Sequence, residues 1–195
     1  MPIRGVVFDL DGTLVSQELD FEAIRREIGL PSGTPLLEAL RELEREQRLQ
    51  AEAILDRHER LAAERANVFE GIPEFLAFLE SRRIRRAVLT RNSRRAAETV
   101  LTRCGLVLDP IVAREDGPPK PDPAGVWQIC TAWDLPPRDV LTIGDYLFDI
   151  EAGRQAGTRT ALVTHGRDWP FAHLADVTFP SFRELPAWQA GWFEA

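Results

Sequence analysis

Lysine is almost missing from this sequence. Of 24 basic residues, 23 are arginine and only Lys120 is lysine. A general bias toward arginine accounts for the 23 and leaves the exception, because the two side chains differ where a compact point charge must sit among several oxygens. Cysteine is nearly as scarce. Cys104 and Cys130 stand 26 positions apart, which excludes a disulfide framework and matches no metal-ligand spacing. Both are expected to be reduced and buried, as small hydrophobes. No apolar run approaches the ~18 to 20 residues of a membrane span. The opening Met1-Pro2-Ile3-Arg4-Gly5 passes straight into a short apolar run and lacks the longer apolar core of a secretory signal. A cytoplasmic location is therefore expected. An excess of positive charge is also absent, since 31 acidic residues against 24 basic ones leave a net charge of −7. Duplex-binding surfaces are normally basic because they neutralise phosphates, so nucleic acid is not expected as a partner, nor is a membrane. A small anionic ligand needs only one local cluster of donors.

What is present is ordinary globular composition, 44% apolar and 28% charged over 195 residues, enough for one core with a sizeable insertion. Ile3 to Phe8 is a continuous apolar run ending at Asp9 and reads as a strand buried on both faces. Residues 19–67 read as helices only. Phe21, Ile24 and Ile28 lie at helical spacing before Gly29-Leu30-Pro31. Leu36, Leu37, Leu40 and Leu43 form a second stripe, and Ile54, Leu55, His58 and Leu61 a third. From Gly71 strands and helices alternate. A helix begins at Pro73, Ile84 to Thr90 is a strand, and Ser93 caps a helix ending near Gly105. A short strand falls within Leu106 to Ala113, and Asp122-Pro123 opens a helix reaching Trp133. Val140 to Ile143 is a strand, Phe148 to Ala156 a helix, and Thr160 to Thr164 and Val177 to Phe179 are strands. Such alternation implies an α/β fold, a parallel sheet covered by helices on both faces.

Ligands of open parallel sheets bind outside the carboxyl ends of the strands. Asp9 and Asp11 follow the first strand, Thr90-Arg91-Asn92 the second, and Gly144, Asp145 and Asp149 the strand ending at Ile143, while Lys120 lies in a Gly/Pro-rich loop. Carboxylates converging on one rim repel each other and need a cation, and a hard, oxygen-liganded ion such as magnesium suits them. Such an ion also shields a phosphate from carboxylate repulsion. Lys120 and Thr90 would supply donors to the phosphate. One carboxylate could then attack phosphorus while another handled the proton.

Four segments carry a resemblance: Asp9-Leu10-Asp11-Gly12-Thr13-Leu14, Leu89-Thr90-Arg91-Asn92, Lys120-Pro121-Asp122-Pro123, and Gly144-Asp145-Tyr146-Leu147-Phe148-Asp149. In this order they resemble the haloacid dehalogenase-like (HAD) hydrolase superfamily, in its phosphoglycolate phosphatase-like branch with a helical cap inserted after the first motif. The resemblance implies a Rossmann-like core over residues 1–15 and 69–195 and a mobile all-helical cap over 16–68. It implies Asp9 as nucleophile and Asp11 as general acid and base. Magnesium would be held by Asp9, the main-chain carbonyl of Asp11, and Asp145, with Asp149 supporting the metal site. Thr90, Asn92 and Lys120 would hold the phosphate. The implied activity is a magnesium-dependent phosphatase for a small phosphorylated metabolite, acting as a monomer or homodimer.

Alternatives stay open on the residues alone. A sugar phosphomutase shares these motifs, and a phospho-aspartate signalling or binding module shares the acidic pocket with Thr and Lys. Asp11, an acid two positions after Asp9, argues against dehalogenation, and the absence of lysine from 16–68 argues against Schiff-base phosphonate chemistry. Arg91 is either a second anion contact or turned away from the site. Arg25, Arg26, Arg57 and Arg60 read as solvated helix faces, or as contacts to an acidic substrate if any faces the cleft. His58 reads as a packed or partly exposed histidine, with a substrate contact as the other reading, and His165 and His173 receive no role. Trp188, Trp192 and Phe193 are expected to pack on the core, with a dimer patch as the other reading.

Overall fold

The computed structural model describes residues 2–16, 19–187 and 192–193. The sheet is built from β1 (Gly5–Phe8), β4 (Arg85–Leu89), β5 (Ile111–Val112), β6 (Val140–Gly144), β7 (Arg159–Val163) and β8 (Val177–Phe179). Their order is β5-β4-β1-β6-β7-β8, and every pairing is parallel. β1 therefore sits in the interior between β4 and β6, which is why its four residues are all buried.

Successive side chains on a strand point to opposite faces, and the two halves of the core follow that alternation. Val6, Phe8 and Val88 face a cluster with Phe75, Leu79, Val100 and Leu101, which come from α4 (Ile72–Ser81) and α5 (Arg94–Cys104). Val7, Ala87 and Leu89 face the other cluster with Val126, Ile129, Trp133 and Ala152, from α6 (Ala124–Trp133) and α7 (Leu147–Ala156). The expected parallel sheet with helices on both faces is what forms. Phe193 is buried in the first cluster and Trp192 packs against it, as expected, while Trp188 lies outside the described residues.

Between β1 and β4 the chain forms a two-stranded antiparallel ladder, β2 (Val15–Ser16) with β3 (Asn67–Val68), and three helices. These are α1 (Phe21–Ile28), α2 (Leu36–Glu42) and α3 (Arg45–Ala63). They enclose their own apolar cluster of Ile24, Leu36, Leu37, Leu40, Ala51 and Leu55. The stripe read on the third helix needs correction. Leu61 is 41% exposed, and the buried face runs through Ala51, Leu55, Glu59 and Ala62. The ladder was not foreseen, since two residues per strand carry no readable alternation. α6 also starts one residue later than expected: Pro123 is its cap, and the Asp122 carboxylate accepts from the Ala124 N–H at 2.9 Å. Among the described residues no helix is long and apolar enough to cross a membrane.

Candidate active site

The carboxyl ends of β1, β4 and β6 meet at the middle of the sheet and bring three of the four motifs together. Asp9 leaves β1 with its N–H bonded to the Ile143 carbonyl of β6 at 2.9 Å. Opposite it stands Lys120, 3% exposed. Its Nζ donates to Asp9 Oδ1 at 2.5 Å and to Asp149 Oδ1 at 2.6 Å. Asp149, in the first turn of α7, is held in turn, for its Oδ2 accepts from the Tyr146 N–H at 3.1 Å. Burial alone would pull the Lys120 pKa down. The Asp149 and Asp9 carboxylates outweigh burial and hold it above the ordinary lysine value, which favours its charged form.

Asp11 lies beside this cluster. Asn92 Nδ2 donates to its Oδ2 at 2.5 Å, and its Oδ1 is buried with no partner among the described residues. Burial, then the neighbouring Asp9 charge, push its pKa up to about 8. Asp9 is raised only to about 6, because the burial that raises it is countered by Lys120. Asp145 is pushed up to about 8 by burial and by Asp9 and Asp149. Thr90 is buried, and its Oγ1 accepts from the Asn92 N–H at 3.1 Å. Each sequence-predicted residue thus reaches the same rim. Asn92 gives one of its amide hydrogen bonds to Asp11.

One carboxylate oxygen from each of Asp9, Asp145 and Asp149 lies within 4.8 Å of the others. Three converging carboxylates, two of them raised by burial and mutual repulsion, are an all-oxygen donor set suited to a hard divalent cation. Asp149 already has both oxygens engaged, which leaves Asp9 and Asp145 with the freer donors. Gly12 lets the turn after Asp11 pass close to Asp145. Its φ is +84°, and a Cβ there would overlap the Asp145 carboxylate.

Several contacts carried no signal in the sequence. His165 Nε2 lies 2.6 Å from the Gly12 carbonyl, and its ring stacks on Phe69 with centroids 4.4 Å apart. Glu59 of α3, 2% exposed, accepts from both the N–H and the Oγ of Ser93 at 3.1 and 2.8 Å. It also pairs with Arg114 at 2.5 Å, and Arg114 reaches Asp56 at 2.7 Å. Arg91 pairs with Glu38 of α2. His58 is partly exposed, as expected, and meets Glu27 at 3.0 Å. A cavity of about 340 Å³ opens between α2, α3 and the 114–119 loop, lined by Leu37, Leu40, Arg41 and Arg114 among others. It includes none of the rim carboxylates.

The model of the haloacid dehalogenase-like hydrolases matches residues 6–163. An N-acetylmuramic acid 6-phosphate phosphatase of Pseudomonas aeruginosa is 33% identical, over 95% of this chain and 94% of its own. A phosphoglycolate phosphatase of Cupriavidus necator is 31% identical, over 96% and 93%. Among solved structures, a hydrolase from Pseudomonas syringae has a TM-score of 0.83 at 20% identity, covering 96% of this chain and 98% of its own, a likeness of fold. With the four motifs meeting at one rim and the family model spanning the sheet from β1 to β7, the chain belongs to the haloacid dehalogenase-like hydrolases.

Proposed function

We propose that the chain is a magnesium-dependent phosphatase that hydrolyses a small-molecule phosphate monoester through an aspartyl phosphate on Asp9. The observation that carries this reading is the division of labour between two carboxylates two residues apart. Lys120 is bound to Asp9 and favours its ionised form, while burial and the Asp9 charge push Asp11 up to about 8 against the hydrogen bond from Asn92. That difference favours Asp9 as the nucleophile and Asp11 as the carrier of the proton. Environments that push paired titrating groups apart assign base and acid.

In the first step an Asp9 carboxylate oxygen bonds to phosphorus and the ester P–O bond breaks. Asp11 gives its proton to the departing oxygen, releasing the alcohol. In the second step Asp11 takes a proton from water. The oxygen of that water attacks phosphorus, the acyl-phosphate bond breaks, and inorganic phosphate leaves with Asp9 restored. Lys120 offsets the charge of the nucleophile and of the phosphate, with Thr90 and the nearby main-chain N–H groups as further donors. Magnesium, held by Asp9, Asp145 and the main-chain carbonyl of Asp11 with Asp149 in support, would supply the positive charge that lets an anionic nucleophile approach an anionic ester.

Residues 16–68 act in this reading as a cap that covers the rim and selects the ester. Support comes from the segment's own apolar cluster and from its polar contacts with Arg91, Ser93 and Arg114. The two relatives above are named for an acid 6-phosphate and for phosphoglycolate, which are both acids bearing phosphate. The free thiols of Cys104 and Cys130 suit a reducing cytoplasm. The test is turnover of a generic aryl phosphate by the purified chain. Turnover should require magnesium and fall by at least ~10³-fold in Asp9→Asn, the scale on which loss of a nucleophile acts. Turnover that survives either removal would sink the assignment.

A further inference from the structure

Arg91 follows Thr90 and precedes Asn92, yet its side chain turns outward to the helical segment. Its Nη2 donates to both carboxylate oxygens of Glu38 on α2, at 3.0 and 2.9 Å. Its Nη1 donates to the main-chain carbonyl of Lys120 at 2.5 Å. Its guanidinium lies over the Phe148 ring, 4.7 Å from the centroid.

Two of these three contacts belong to the α/β body. Phe148 and the Lys120 carbonyl hold the guanidinium in place, so its remaining donors are aimed before any ligand arrives. The third contact is of another kind. The Glu38 side chain is 42% exposed and that of Arg91 23%, and an ion pair so open to water contributes little by itself. A carboxylate held by a pre-aimed guanidinium at so exposed a position can be exchanged for another.

The position of the pair gives that exchange a meaning. Lys120 accepts from Arg91 at its carbonyl and donates to Asp9 at its Nζ. The guanidinium and the Asp9 carboxylate are therefore linked through one residue, Lys120, which also holds the nucleophile, so an anion on Arg91 lies on the Asp9 side of the fold.

We infer that Arg91 is the receptor for a carboxylate carried by the phosphate ester, and that Glu38 occupies its place until the ester enters. This inference rests on the phosphatase reading above and names its substrate class: a phosphorylated carboxylic acid. A carboxylate is favoured over a second phosphate because the resident group is itself a singly charged carboxylate that takes both donors of one nitrogen.

The test measures binding on an Asp9→Asn background, where bound ester is not consumed, with magnesium present. The probes are 2-phosphoglycolate and 3-phosphoglycerate, with ethyl phosphate as the ester lacking a carboxylate. Adding Arg91→Gln should weaken the two acids by about 10- to 100-fold, the scale of a lost charge-assisted hydrogen bond. It should weaken ethyl phosphate far less, so that the preference for acids collapses. Arg91→Lys should recover part of that preference. Glu38→Gln, which removes the resident competitor, should tighten the acids a few-fold. Equal loss on all three esters in Arg91→Gln, no preference for the acids on the Asp9→Asn background, or weaker acid binding in Glu38→Gln would overturn the inference. Aryl phosphate turnover by the unmodified chain separates the two readings. Turnover without an Arg91-dependent preference sinks the subsite alone. An Arg91-dependent preference without turnover sinks the phosphatase reading and leaves the subsite standing.

Discussion

Lys120 holds a compact charge in a space bounded by two carboxylates, 2.5 Å from one and 2.6 Å from the other, with 3% of the residue exposed. A guanidinium is wider and cannot place a single point charge between both oxygens. Lys120→Arg should therefore lower aryl phosphatase turnover by about 10² to 10³-fold, the range for loss of one pre-aimed donor at a site of developing charge. Lys120→Met leaves Asp9 and Asp149 facing each other without a counterion. Breaking a buried pair in this way costs about 3–5 kcal/mol, to be read from urea unfolding of the metal-free protein. Turnover retained in the arginine variant would show that the charge matters without its shape. Lys120 was legible because it is the lone lysine of an arginine-rich chain. Asp9, Asp11 and Asp145 were legible because acids just after apolar strands have no packing reason to be there, and Asp149, in the first turn of α7, only through its spacing from Asp145. His165 was not: its link to the Gly12 carbonyl spans 153 positions and depends on a left-handed backbone at φ +50°, and no local pattern encodes either.

At the scale of elements, helices with capping residues were readable to within a residue. α5 lies between Ser93, whose Oγ accepts from the Ala96 N–H at 3.4 Å, and Gly105 at φ +64°, both of which are sequence signals. α3 shows where such reading stops. Its buried face includes a glutamate, and a glutamate on a helix is ordinarily assigned to solvent. Glu59 is buried because three donors from the α/β body converge on it: the Ser93 N–H, the Ser93 hydroxyl and Arg114. It therefore joins α3 to the start of α5, directly after the Thr90–Asn92 stretch. Glu59→Ala leaves those donors without their acceptor, while the exposed Asp56 keeps part of Arg114 paired. The expected cost is about 2–3 kcal/mol, a buried charge-assisted network broken from one side, and Glu59→Gln should recover part of it by still accepting from Ser93. Chemical denaturation of the three proteins measures this. A change below about 0.5 kcal/mol in the alanine variant, the range of ordinary surface substitutions, would mean that the cluster contributes no net stability.

For the whole molecule, the acidic rim sets how stability should depend on pH. Asp9 is raised to about 6 and Asp11 and Asp145 to about 8, in each case first by burial, against 3.8 for an ordinary aspartate. The folded, metal-free chain therefore holds protons here that the unfolded chain has already released. Stability falls with rising pH wherever the native state binds more protons. The contribution of these groups is fully present below the ordinary aspartate value and is lost as pH rises through about 6 to 8. A divalent cation acts in the opposite sense, because it binds the deprotonated carboxylates and only in the folded state. The melting temperature of metal-free protein should thus decline between about pH 6 and 8.5, and the increase produced by magnesium should be larger at the upper end of that interval. Histidines titrate nearby, so Asp145→Asn provides the control: removing a carboxylate from the cluster should flatten the decline and shrink the magnesium effect together. Thermal melts across that interval, with magnesium and with a chelator, decide the matter. A magnesium shift that is the same at every pH, or a decline untouched by Asp145→Asn, would show that the rim carboxylates are not what the cation relieves, and the metal assignment would have to move elsewhere in the fold.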